Sequence, residues 1–170
     1  MIELKTAQQP AARYCLDACA LIDFDKVRFP HDHFEVVWKE LNSLVESGAM
    51  ISPREVRREV VTEVKEKDWV NKWASTRKQM FINPDEEQEK IVTLVLTKFP
   101  KMLNKYQSGP FADPWVVALA KARNLTVITS ELPGGKGAWK IPDICRELGV
   151  ACFDITDLIR AENWKFNAKI

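Results

Sequence analysis

Residues 14–22 read Tyr-Cys-Leu-Asp-Ala-Cys-Ala-Leu-Ile, and the fold is decided by how that stretch is parsed. Tyr14-Cys15-Leu16 is a short apolar run without polar alternation, the pattern of a strand buried on both faces. It ends on Asp17, after which Ala18-Cys19-Ala20-Leu21-Ile22 enters a helix. The chain repeats this grammar. Leu125-Thr126-Val127-Ile128-Thr129 is a β-branched strand bounded by Asn124 and Ser130, and Ala49-Met50-Ile51 and Val150-Ala151-Cys152-Phe153 are further strand candidates. Helices are expected between them. Phe34, Val37, Trp38, Leu41, Leu44 and Val45 recur at helical spacing before Gly48, and Pro84-Asp85-Glu86 opens another helix reaching Phe99. A further helix, Trp115 to Arg123, follows Ala112-Asp113-Pro114, one runs from Pro142 to Leu148 and is ended by Gly149, and a last one runs from Thr156 to Glu162. Strands alternating with helices predict an α/β protein: one domain over residues 1–170, a mainly parallel central sheet of about four to five strands, and flanking helices. Residues 65–106 form an additional helical insert, whose first part (65–78) is expected to be one basic helical stretch.

Composition narrows the classes. Of 170 residues, 46% are hydrophobic and 29% charged, which excludes a disordered tail, a fibre or a low-complexity linker. No apolar run approaches the ~18–20 residues needed to span a bilayer, and the first residues lack an apolar signal core, so a cytoplasmic protein without membrane contact is expected. Lys+Arg 25 against Asp+Glu 24 leaves a net charge of +1, so nucleic acid binding would rest on local patches. Cys15, Cys19, Cys145 and Cys152 read as reduced thiols; their spacing, with no histidine nearby, disfavours zinc.

The acids are placed more tellingly than their number suggests. In a parallel sheet ligands bind beyond the C-terminal strand ends. Asp17 ends the first strand, Glu131 follows Thr129-Ser130 after the strand at 125–129, and Asp113 opens the helix before it. Ser52-Pro53-Arg54-Glu55 reads as a capping box, which assigns Glu55 to the helix start and leaves Glu59, one turn on, without a local use. Each acid also has a plainer reading: a solvated strand end for Asp17, a helix cap for Asp113, an exposed helical position for Glu59, a loop for Glu131. Converging carboxylates repel unless a cation neutralises them, and an oxygen-only set suits Mg²⁺ or Mn²⁺.

Four segments resemble the motifs of the PIN-domain nucleases, in that family's order. Leu16-Asp17-Ala18-Cys19-Ala20-Leu21-Ile22 is similar to the first, Ile51-Ser52-Pro53 through Arg58-Glu59-Val60 to the second, and Ala112-Asp113-Pro114-Trp115 with its Ala-rich helix to the third. Val127-Ile128-Thr129-Ser130-Glu131 resembles the fourth, with Glu in place of the usual Asp. The resemblance spans residues 14–157 and is to the toxin-like, VapC-like branch with a longer helical insert. It implies a divalent-metal-dependent endoribonuclease, commonly the homodimeric toxin of a toxin–antitoxin pair, with RNA as substrate and an antitoxin protein as partner. Carried over residue by residue, it implies that Asp17, Glu59 and Asp113 hold Mg²⁺ or Mn²⁺, with Glu131 or Asp143 as the fourth acid. Thr129 would orient a ligand or water, and Arg58 and Lys136 would contact substrate.

Other features point elsewhere or nowhere. Gly134-Gly135-Lys136-Gly137 lacks the phosphate-loop spacing and reads as a cationic loop. His31-Asp32-His33 has no third histidine to complete a metal site, and no Ser or Cys has a recognised histidine partner. Between residues 54 and 78 there are eight Lys/Arg and five acids, with Trp69 and Trp73 four apart; the tryptophans are either a platform for a base or, as favoured, part of the core or a dimer seam. Two other functions compete: a non-catalytic PIN-like binding module, and a haloacid-dehalogenase-type phosphatase. The latter needs a second acid two residues after Asp17, where Cys19 stands.

Overall fold

A computed structural model describes residues 11–102, 111–134 and 138–166. Five strands form one sheet in the order β3-β2-β1-β4-β5: β1 (Tyr14–Leu16), β2 (Met50–Pro53), β3 (Phe81–Ile82), β4 (Thr126–Ile128) and β5 (Cys152–Phe153). All four pairings are parallel, with Cys15 opposite Ile51 on one side and Val127 on the other. The expected parallel α/β architecture is therefore present. Cys15, Met50, Val127 and Ile128 are fully buried, as strands covered on both faces require. Each such side chain contributes about 1.5–3 kcal/mol.

The helices are α1 (Ala18–Asp23), α2 (Glu35–Glu46), α3 (Arg54–Glu63), α4 (Trp69–Thr76), α5 (Glu86–Lys98), α6 (Asp113–Arg123), α7 (Ile141–Leu148) and α8 (Ile155–Ala161). α1 loosens into one π-helical turn, Phe24–Arg28, which closes on Phe29 N–H donating to Phe24 O at 2.8 Å. α6 is the central helix. Val116, Val117, Ala118, Leu119 and Ala120 are all buried, because one side meets the sheet and the other meets α5. Pro114 sits in its first turn, and Asn124 ends it in the left-handed conformation at φ 52°, one that asparagine tolerates better than most residues.

Three expectations are corrected. Residues 65–78 are not one helix: α3 ends at Glu63, the chain turns through residues 64–68, and α4 restarts at Trp69. The insert is not purely helical either, because Phe81–Ile82 joins β2 as the edge strand β3; two residues are too few to show a period. The capping box at Ser52 does not form. Ser52 is buried inside β2, its hydroxyl donates to the Leu16 carbonyl, and α3 begins after Pro53 with no side-chain cap. A buried hydroxyl between two strands satisfies itself on the nearest open carbonyl rather than on a helix turn it cannot reach. Residues 103–106 of the insert lie outside the described residues.

The tryptophans belong to the core. Trp73 is buried and its indole N–H donates to Asn42 Oδ1 at 2.8 Å. Trp69 packs edge-on against Trp38, with ring centres 4.2 Å apart, and is covered by the His31 ring stacked at 4.3 Å. Among the described residues both rings are engaged by other side chains, Trp69 by Trp38 and His31 and Trp73 by Trp38 and Arg77.

At the opposite end of the sheet from the acids, β1 is tied to the segment after α8. The Tyr14 hydroxyl donates to Glu162 Oε1 at 2.5 Å, and Arg13 makes a two-pronged pair with the same carboxylate at 2.6 and 3.0 Å. Burial, then the bond to Glu162, push the Tyr14 phenol up to about 12. An unfolded tyrosine titrates near 10, so folding retains this proton, and the associated stability is present below pH 10 and lost as pH rises toward 12. Wild type should lose roughly 2 kcal/mol more unfolding free energy between pH 10 and pH 12 than Tyr14→Phe, measured by urea denaturation across that range.

Candidate active site at the strand ends

The chain leaves β1 for β2 and β3 on one side, then crosses to β4 and β5 on the other. Strand order thus reverses between β1 and β4, where connections diverge and a parallel sheet opens a crevice. Asp17 stands at the end of β1 and Thr129 at the end of β4, held in step by Asp17 N–H donating to Ile128 O at 3.0 Å. Both side chains are 2% exposed.

Asp17 is held by three donors. The Ala18 N–H reaches Oδ1 at 2.7 Å, and the Cys19 thiol and the Thr129 hydroxyl reach Oδ2 at 2.7 and 2.9 Å. The Thr129 oxygen in turn accepts the Glu131 N–H at 3.1 Å and lies 3.3 Å from Cys19 Sγ. Burial pushes the Asp17 carboxyl up to about 6; the Cys19 and Thr129 bonds pull it down, and the charge of Glu131 raises it. The Cys19 thiol is pushed well above its usual range, by burial first and then by Asp17, so it stays a protonated donor. Here is a buried carboxylate, well supplied with donors and short of positive charge.

Glu59 and Asp113 are linked through backbone. Glu59, half-buried on α3, accepts the Ala112 N–H on Oε2 at 2.8 Å, which docks α3 on the head of α6. Asp113 follows directly, 7% exposed, as the first helical residue; the cap position is Ala112, so the capping reading of Asp113 does not hold.

Glu131 and Asp143 close the loop between β4 and α7. Glu131 accepts Lys140 Nζ on Oε1 at 2.8 Å and the Ile141 N–H on Oε2 at 2.9 Å. Asp143 is fully buried: Oδ2 accepts the Gly134 and Lys140 N–H groups at 2.7 and 3.1 Å, and Oδ1 accepts Arg146 at 2.9 Å. A side chain at Gly134 would collide with the Ala138 carbonyl, so the loop can close only on glycine. Asp143 thus serves loop architecture, while Glu131 couples electrostatically to Asp17. Arg58 is exposed on α3, its guanidinium 3.9 Å from Glu55. Lys136 lies outside the described residues.

Three site residues were not singled out from sequence. Cys19 reads from sequence as a reduced thiol and as the residue two positions after Asp17, not as a donor to it. Lys140 brings a cation into the acids: its bond to Glu131 holds its ammonium above the usual lysine range, with smaller contributions from Asp113 and Cys19. Glu55 is 8% exposed, paired to Arg54 at 2.9 Å, and its Oε2 has no hydrogen-bond partner. Removing its capping role turns it into a buried acceptor with an open position.

The donor chemistry fits a hard divalent cation: every candidate ligand is a carboxylate, and burial disfavours the charged form of Asp17. Among the described residues, however, no three His, Cys, Asp or Glu side chains converge closely enough to enclose an ion. Also among them, no helix is long and apolar enough to cross a membrane.

Comparison with known proteins agrees with the architecture. A family model described as a domain of unknown function, DUF4411, matches residues 14–166. No curated protein matches the sequence significantly. Among solved structures, a chain from the crystal structure of DNA-bound VapBC from Salmonella typhimurium superposes with a TM-score of 0.53 at 15% identity, covering 84% of this chain and 98% of that one. At that identity the likeness establishes a shared fold, the PIN-like α/β fold.

The raised Asp17 carboxyl has a cost in stability. A folded-state value near 6 against an unfolded value of 3.8 means that Asp17 favours folding below pH 4, a contribution lost as pH rises through 6. In EDTA at pH 7, Asp17→Asn should therefore be more stable than wild type by roughly 1–3 kcal/mol, and the gap should close toward pH 4, read by thermal and urea unfolding.

Proposed function

Because the chain belongs to the DUF4411 family of domains of unknown function, its activity has to be read from its site, and we propose that it is a divalent-metal-dependent endoribonuclease. The observation that carries the reading is Asp17: a carboxylate 2% exposed at the switch point of a parallel sheet, held by three donors, with its pKa raised by burial. Buried acids with perturbed titration at such a position mark functional sites. The same four-motif order that resembles the PIN-domain nucleases supports the reaction class, and the shared PIN-like fold agrees with it.

Asp17, Glu59 and Asp113 are the residues that would hold Mg²⁺ or Mn²⁺, with Glu131 as an outer ligand, in preference to Asp143, whose oxygens already hold the loop. A divalent ion there supplies an acidified water and offsets charge on the phosphate oxygens. The chain does the positioning. Thr129 and Cys19 aim Oδ2 of Asp17 by donating to it. Ala112 fixes Glu59 beside the start of α6, so that Asp113 and Glu59 approach the cleft as one unit. Lys140 reduces the net charge of the four acids from −4 to −3, easing the approach of a phosphodiester.

By the same resemblance, the protein is the toxin of a toxin–antitoxin pair, a homodimer acting in the cytoplasm, with an antitoxin protein as its partner. The VapBC structure contains such a pair bound to DNA. A non-catalytic PIN-like module is the second reading. It is favoured by one fact: among the described residues no three ligating side chains are drawn together.

A panel of single-stranded RNAs incubated with Mg²⁺, Mn²⁺ or EDTA tests the proposal. Cleavage should require the metal and fall by roughly two orders of magnitude or more in Asp17→Asn, Glu59→Gln and Asp113→Asn, with the exposed-site control Glu66→Gln unchanged. Metal affinity by calorimetry should fall in the same three variants. Full cleavage by Asp17→Asn at saturating Mn²⁺ would sink the mechanism. A loss in Glu55→Gln with Glu59→Gln unchanged would transfer the ligand role to the glutamate with the open Oε2.

A further inference from the structure

Two thiols take no part in the site. All four cysteines are free. Cys15 is fully buried and donates to the Val116 carbonyl, and Cys19 donates to Asp17. Cys145 and Cys152 are left, seven residues apart, one on α7 and the other opening β5. The fold brings them back together. Cys145 lies on the buried face of α7 with Ile141 and Ile144, all three fully buried. Gly149 ends the helix in the left-handed conformation at φ 65°, and the Val150 N–H donates to the Cys145 carbonyl at 2.8 Å. That reversal returns the chain past the turn it has just left and into β5, where Cys152 pairs with Val127. There the two thiols hydrogen-bond to each other, Cys145 donating.

The pair is asymmetric in a way that governs reactivity. Cys145 is closed off from water, whereas Cys152 is half-buried and lines an open groove of about 410 Å³ with Pro142, Arg146 and Val150. A small oxidant can therefore reach one sulfur and not the other. The bond from Cys145 also holds the Cys152 thiol below the usual cysteine range, against burial and the charges of Asp17 and Glu131. Thiolate, not thiol, is the reactive form. An accessible sulfur with thiolate character beside a second thiol is the arrangement of a redox-reactive pair, in which the first sulfur is oxidised and the second resolves it. Hydrogen-bonded thiols need only a short further approach to reach the ~2.05 Å of a disulfide.

We propose that Cys145 and Cys152 close to a reversible disulfide when the protein meets a peroxide, with Cys152 as the sulfur oxidised first and Cys145 as the one that resolves it. With hydrogen peroxide, the Cys152 thiolate attacks one oxygen: an S–O bond forms, the O–O bond breaks, and the departing hydroxide takes up the proton that Cys152 gave up. Cys145 then attacks the sulfenic sulfur: the S–S bond forms, the S–O bond breaks, and the Cys145 proton leaves with the hydroxyl as a second water. The two thiols give up two electrons in all, and the peroxide takes them. A dithiol reductant reverses the bond by exchange. This oxidation needs no metal and no RNA. The bond ties α7, whose Ile141 N–H holds Glu131, to the edge strand of the sheet.

The test treats the folded, reduced full chain with equimolar hydrogen peroxide, quenches with an alkylating agent and maps tryptic peptides by mass spectrometry. Trypsin cuts after Lys140, Arg146 and Arg160, so Cys145 falls in peptide 141–146 and Cys152 in peptide 147–160. The two peptides should appear joined, from a chain lighter by two hydrogens, and should separate after dithiothreitol. Before oxidation, Cys152 should react with a limiting alkylating agent about tenfold faster than each of the other three cysteines. Cys145→Ser should stop at the sulfenic acid, captured by dimedone on peptide 147–160. Cys152→Ser should leave Cys145 unmodified at the same dose. A thermal melt verifies that both variants fold, and the wild-type peptide map decides alone where one does not. Absence of the joined peptides overturns the proposal, as does a disulfide to Cys15 or Cys19, a disulfide between two chains, or oxidation that dithiothreitol does not reverse. Oxidation of Cys145 in Cys152→Ser, at the wild-type rate, removes Cys152 from its role and overturns it equally.

Discussion

The geometry at the strand ends depends on keeping one carboxylate, that of Asp17, out of water at the C-terminal end of the central strand. Burying a charge without a partner is costly, and proteins respond by pairing it, hydrogen-bonding it or letting it neutralise. Here hydrogen bonding is used fully, with Ala18, Cys19 and Thr129 all donating. Even so, burial wins and the carboxyl stays high. Thr129 is needed for this, and it must sit at the end of β4. β4 must therefore pair with β1 in one register, Leu16 opposite Ile128. A one-residue slip would turn Thr129 to the other face and remove the donor.

The same economy of donors explains the loop between β4 and α7. It must leave the site and return to it with Lys140, and its Trp139 packs against Phe99 on the way, ring centres 4.8 Å apart. Two acids perform the closure: Glu131 receives Lys140 and the Ile141 N–H, while Asp143 receives Gly134, Lys140 and Arg146. Each of these two cations is thus fixed by a buried or half-buried carboxylate. A lysine or arginine held this way has lost its rotamer freedom before a ligand arrives, so less is lost on binding.

What could be read from sequence follows from how far each signal reaches along the chain. Asp17, Asp113 and Glu131 stood out because each interrupts or borders an apolar run, and apolar runs are what strands and buried helices look like from any distance. The strand ends were found for the same reason. β3 escaped because two residues carry no period, and its pairing with β2 is a tertiary event. Ser52 misled because Ser-Pro-x-Glu is a local code for a helix start, whereas the structure uses that hydroxyl across strands, on Leu16. Glu55 was then set aside on a cap that does not exist. Lys140 could not be found locally, since its partner Glu131 lies nine residues away across a loop whose path depends on Gly134 and Asp143; the Arg146–Asp143 pair is an i,i+3 contact on one helix.

Glutamate rather than aspartate at position 131 has a physical reason in this loop. Its carboxylate must reach both an ammonium and a backbone N–H of the next helix, while its own N–H stays on Thr129. An aspartate is one methylene shorter, so from the same backbone position it would have to give up Lys140 or Ile141. Losing Ile141 would free an N–H at the start of α7, and losing Lys140 would free the cation from the acids. The longer side chain therefore lets one residue at the end of β4 add charge to the Asp17 environment and hold the start of α7. The two demands meet in one residue because the Glu131 N–H stays on Thr129, itself a donor to Asp17, while the carboxylate reaches the first turn of α7.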